Sequence, residues 1–256
     1  MGTGAASGQV PTGATASDAA APGRRSGVLP GVLLAYALAL AVFLLPLMLL
    51  TSTVFGIEGF TLQELLDLFT PLAILPLGAA AMWLAGGTGP RWWLALLLVA
   101  IVWTEGQAIH LATNAIDDLI EGSGSPAALE GPVYDLAHWF DEVLSHWLWH
   151  IGWVGLSTLL LAAAATRGPW ASLTAGAGAV TVAAGVIHGL VFGITTIEGV
   201  TALLGIPASA ALLIGAWAVR RHGSPVALFL GVSSAVTLAG YAIWAALNDW
   251  TLPEFL

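Results

Sequence analysis

RWWLALLLVAIVWTEGQAIHLATNAIDD, residues 91–118, is the stretch whose reading decides the fold. It opens on Arg91 and two tryptophans, stays apolar to Trp103, continues with a few polar residues set among apolar ones, and closes on Asp117 and Asp118. About 20 apolar residues are enough to cross a bilayer as helix. A single arginine at one boundary and acids at the other give the segment a direction as well as a length. The same grammar repeats along the chain. Its six basic residues besides histidine, Arg24, Arg25, Arg91, Arg167, Arg220 and Arg221, fall at every second boundary between apolar runs. The alternate boundaries carry Glu58, Glu64, Asp117, Asp118, Glu121, Glu130, Asp135, Glu198, Asp249 and Glu254.

Apolar runs at 28–50, 68–85, 92–116, 134–165, 170–194, 200–219 and 225–247 predict seven transmembrane helices in one domain, 28–256. Residues 1–27 are rich in Gly, Ala, Ser and Thr and read as a disordered tail. Thr61 and Glu64 have capping-box spacing, which predicts a short interfacial helix over about 61–69. Cytoplasmic loops are enriched in Lys and Arg, so the arginine boundaries belong inside. That places the N-terminus in the cytoplasm and the C-terminus outside the membrane. The expected fold is therefore an all-α, multi-pass bundle in the cell membrane.

Composition narrows the chemistry. Charged residues make up 8% of the chain, against about 25% in a soluble domain. There is no basic stripe for nucleic acid. Lysine is absent, which excludes Schiff-base chemistry on a lysine. Cysteine is absent too, so any metal must take nitrogen and oxygen ligands.

Depth can be counted from the arginines. His110 stands 19 residues after Arg91, His146 21 before Arg167, His188 21 after Arg167, and Tyr241 20 after Arg221. At about 1.5 Å per helical residue, all four come out level, near the acidic edge of the bilayer. His138, Glu142, His146 and His150 follow one another at steps of four on the fourth span. Two histidines at that spacing can reach one metal. Trp103, Gln107, His110 and Asn114 form a stripe on the third span, from which Glu105 points away; a polar partner on the second or sixth span, or protonation, would accommodate it. Gly185, Gly189 and Gly193 flank His188 and predict a close helix contact there.

Ionisable residues inside a membrane mark sites and pathways. The expected site is a metal centre with His110, His146, His188 and His150 as ligands, Glu142 or Asp141 as general base or further ligand, and Tyr241 as hydrogen-bond donor. A zinc ion there would make a membrane hydrolase acting on a lipid or amphipathic substrate. His146-x-x-x-His150 with the adjacent Asp141 and Glu142 resembles the zinc site of the CREST superfamily of seven-helix membrane hydrolases, in which histidines, an Asp and a Ser surround the metal. The pattern departs from that group by lying on the fourth span rather than the seventh, and Gly106 stands where a serine four residues before His110 would be expected. Two other readings compete: haem or a copper or iron centre in a membrane redox protein, and a non-enzymatic accessory or transport protein.

Overall fold

The computed structural model describes residues 22–45, 50, 52–56, 61–167, 172–220 and 223–251. Residues 1–21 of the expected tail, Trp170, Arg221 and His222 lie outside the described residues. The chain forms α1 (Pro22–Leu44), α2 (Leu62–Ala85), α3 (Pro90–Gly122), a single turn α4 (Pro126–Leu129), α5 (Pro132–His138), a π segment (Trp139–Ser145), α6 (His146–Thr166), α7 (Ala175–Glu198), α8 (Ala202–Val219) and α9 (Pro225–Leu247). Residues Pro132–Thr166 make one continuous span, so seven helices are long and apolar enough to cross a membrane.

Local rules explain where the helices begin. Proline occupies the first turn of α3, α5 and α9, where its missing N–H costs nothing. Thr174 and Ser224 cap α7 and α9 by accepting backbone N–H groups. At α2 the capping box forms as its spacing predicts. The separate interfacial helix does not: residues from Leu62 onward are the first turns of α2 itself. Glu64 and Asp67 are buried there. An interfacial helix would turn its acids to water, whereas these acids face other helices. The first helix likewise begins at Pro22, inside the expected tail.

Packing follows from which faces are small. α1 buries Leu29, Leu33, Tyr36, Ala37 and Leu40, a helical stripe, against α2 and α7. α7 lies on α9 through Gly185 and Gly189; a β-carbon on Gly185 would stand 2.7 Å from the Phe229 carbonyl. α3 lies on α6 in the same manner. A β-carbon on Gly106 would stand 2.6 Å from the Trp149 nitrogen and 2.8 Å from the Ser145 carbonyl. One on Gly152 would stand 2.6 Å from the Trp103 side chain. These two glycines bring the α3 backbone against the junction of the π segment and α6, which sets up the site.

Candidate functional site

One turn beyond Gly106, His110 meets the π segment. Its Nδ1 donates to Asp141 Oδ1 at 2.7 Å, and Thr113 Oγ1 reaches the same oxygen at 3.2 Å. Asp141 is 2% exposed. Its neighbour Glu142 has a side chain 34% exposed, with Oε2 3.7 Å from His146 Nδ1. The widened π turn therefore sorts the adjacent pair: Asp141 goes inward to His110 and Glu142 stays at the margin. Such turns are rare and concentrate at functional sites. Ser145 donates to the Asp141 carbonyl, and His146 Nδ1 donates to the Glu142 carbonyl at 2.8 Å.

The rings of His110 and His146 have centroids 5.1 Å apart. Both spend Nδ1–H on an oxygen acceptor, which leaves the lone pair on Nε2. Among the described residues neither Nε2 has a hydrogen-bond partner. This is the arrangement of metal-ligating histidines, where a carboxylate or carbonyl on one nitrogen orients the other.

His150 lies 6.4 Å from His146 by ring centroid but is closed off. Its Nδ1 donates to the His146 carbonyl at 2.8 Å, and its Nε2 accepts from Thr195 Oγ1 at 3.3 Å. Thr201 Oγ1 adds a third contact at 2.9 Å from Nδ1.

His188 is not level with this pair. The count from Arg167 treats the connection before α7 as if it rose like helix. Counted from Ala175, His188 stands thirteen steps into α7, matching Trp153, thirteen steps before the end of α6 at Thr166. His110 and His146 stand twenty steps from the corresponding ends, Pro90 and Thr166. The difference is roughly 10 Å of rise. Trp153 Nε1 donates to His188 Nε2 at 2.8 Å, so Nδ1 carries the proton and donates to Ser233 Oγ at 2.7 Å. Phe229 and Tyr36 cover the ring. The glycine stripe does bring His188 to a neighbouring helix, but that helix is α9. Tyr241 is also engaged elsewhere: its hydroxyl donates to Thr196 Oγ1, which in turn donates to the Phe192 carbonyl at 2.6 Å.

The structure adds two acids that the sequence reading did not place here. Glu64 accepts from the Thr61 nitrogen at 2.6 Å and from Asn114 Nδ2 at 3.0 Å, joining α2 to the polar stripe of α3. Asp67 is 3% exposed and its Oδ1 is buried without a partner. It lies within electrostatic reach of His110, Glu64 and Asp141. Glu64, Asp67 and Thr70 recur every three residues in an otherwise apolar run, which was the available signal. A cavity of about 230 Å³ between α2 and α3 is lined by Asp67 and Gln107 on its polar side and by Leu68, Pro71 and Leu111 on its apolar side. Further out, His138 Nδ1 donates to Asp117 Oδ2 at 3.1 Å.

Among the described residues, no group of three or more His, Asp or Glu side chains stands ready-made to hold a metal ion. What the geometry brings together is a pair of imidazoles with open Nε2 atoms, the orienting carboxylate of Asp141, Glu142 at the margin, and the buried carboxylates of Glu64 and Asp67. The chain matches no protein-family model, no curated protein and no solved structure.

Proposed function

We propose that the His110–His146 pair is the centre of a metal-dependent membrane hydrolase acting on a lipid or amphipathic substrate. The observation that carries this reading is the pair itself: two rings 5.1 Å apart, each with Nδ1 anchored and Nε2 open. Metal–nitrogen distances of about 2.0–2.1 Å put the ring centroids of two histidines on one tetrahedral ion about 5 Å apart. Histidines on opposite sides of a haem iron would stand about 6 Å apart with a macrocycle between them, so the spacing disfavours haem. Zn²⁺ suits the nitrogen and oxygen donors, and Asp67, whose Oδ1 is buried without a partner, would be the third ligand.

A Zn²⁺ held by His110 and His146 would supply a Lewis acid for the scissile carbonyl or phosphoryl group and an activated water. Glu142, at the exposed margin, is the general base. Asp141 holds the His110 ring in the tautomer that presents Nε2. The α2–α3 cavity, polar at one wall and apolar at the other, suits an amphipathic molecule. The arginine boundaries support a cytoplasmic N-terminus and an extracytoplasmic C-terminus in the cell membrane, which sets the site near the outer leaflet.

Elemental analysis and a visible spectrum of detergent-purified protein test the proposal together with hydrolysis of a panel of esters, amides and phosphodiesters of long-chain lipids. Near-stoichiometric zinc, no colour and turnover of one lipid class are expected. A copper or iron content with a visible or paramagnetic signal would move the site to redox chemistry. A metal-free, inactive protein would sink the enzyme reading and leave an accessory or transport role.

A further inference from the structure

Glu105 stands fifteen steps into α3, about 22 Å along the axis and inside the hydrocarbon-spanning segment. Its side chain is exposed, and no hydrogen bond or ion pair engages it among the described residues. The partner on the second or sixth span that its sequence position suggests is absent from this face. Thr104 beside it is exposed as well. Thr113, Thr158 and Thr181 each donate their hydroxyl to a carbonyl one turn back, whereas Thr104 makes no such bond. A carboxylate and a free hydroxyl facing acyl chains are expensive, and intramembrane polar groups normally turn to protein. α3 is also the least buried of the seven spans, with 22% of its window covered against 28–50% in the others.

We propose that this face of α3 is the contact between two copies of the chain. Two copies in one membrane share an orientation, so a twofold axis along the membrane normal brings equal depths together. Thr104 of one copy then donates to Glu105 of the other, and the reverse bond forms by symmetry. The face supplies its own complement, donor and acceptor at one level. A different partner would have to bring both. Leu97, Ile101, Thr104 and Ala108 run at 4-3-4 spacing, the seam of a left-handed helix pair, and all four are exposed. Ala108 and Ala112 allow close backbone approach. Thr104, Ala108 and Ala112 also line the α2–α3 cavity, so the contact would cover that part of it.

The chain has no cysteine, so one introduced thiol per copy reports one position. Ala108→Cys is oxidised in native membrane vesicles, with Leu203→Cys and Ile214→Cys on the exposed face of α8 as controls. Ala108→Cys is expected to give a disulfide-linked species of twice the chain mass while the controls do not. Adding Glu105→Leu or Thr104→Val should lower the association constant on the order of tenfold, since an interhelical hydrogen bond contributes modestly in lipid. These substitutions sit on an exposed face, and unchanged elution in detergent checks that the fold survives. Crosslinking of Ala108→Cys no greater than the controls overturns the proposal. So does an adduct of a different mass, which would assign the face to another protein. Undiminished crosslinking in both Glu105→Leu and Thr104→Val overturns the polar pairing on which it rests.

Discussion

His146 and His188 are the same side chain in the same bundle, yet the structure treats them oppositely. His146 lies where α3 crosses the π segment, anchored by one nitrogen and open at the other. His188 lies between α7 and α9 with both nitrogens engaged, one by Trp153 and one by Ser233, under the rings of Phe229 and Tyr36. The first arrangement waits for something to bind; the second is complete. A histidine in a membrane is thus informative only once the account of its two nitrogens is closed. His150 makes the same point one turn from His146, where threonines from the α7–α8 corner occupy it.

The widest gap between the two regions should appear in metal content. His146→Ala is expected to remove bound zinc and lower hydrolysis by more than about 100-fold, because a ligand is lost outright. His188→Ala should leave metal stoichiometry unchanged and instead destabilise the bundle by about 2–4 kcal/mol, through a cavity and a stranded indole N–H. Elemental analysis and reversible unfolding in mixed micelles read the two effects separately; loss of zinc in the His188 variant would erase the distinction.

Asp141→Asn probes the anchored side of the site. The amide keeps the volume and loses the charge that orients His110, so zinc affinity should fall by about 10- to 100-fold, measured by competition with a chelator. An unchanged affinity would demote the Asp141–His110 bond to packing.

The two helix crossings give a matched pair. Gly106→Ala and Gly185→Ala each drive a β-carbon into a neighbouring backbone and should cost about 1–3 kcal/mol. Gly106→Ala alone should also weaken metal binding, since it pushes α3 away from the residues that hold His110. Equal effects on metal from both would mean that the site senses the whole bundle rather than its own crossing. The smallest change is expected from Tyr241→Phe, about 1 kcal/mol for one buried hydrogen bond, with turnover unaffected.

The periodic and boundary signals in the chain carried most of the architecture. Length and polarity mark seven spans, proline and hydroxyl residues mark their starts, and the inward stripe of Trp103, Gln107 and Asn114 is visible at helical spacing. Depth was readable where the count stayed inside helix, as for His110 and His146. It failed for His188, which stands only thirteen steps into α7. Rotation about the helix axis was readable on α3 but not across residues 139–145. Asp141 and Glu142 are told apart by the π turn, which no periodic pattern announces. Glu64 was legible as a cap but not as a partner of Asn114, because that bond depends on how α2 leans on α3.

Arg167 ends α6 and reaches back to α2, where its Nη1 donates to the Leu84 carbonyl at 2.7 Å. The last turn of any helix leaves carbonyls without a donor of their own. α2 emerges early in synthesis and meets this arginine only after two more spans have followed it. The Gly86 and Gly87 N–H groups satisfy the Met82 and Trp83 carbonyls locally, and the guanidinium supplies the donor for Leu84, tying α2 to the end of α6. One side chain at the end of the fourth span is therefore also the fastener that ties down the end of the second, at one corner of the bundle.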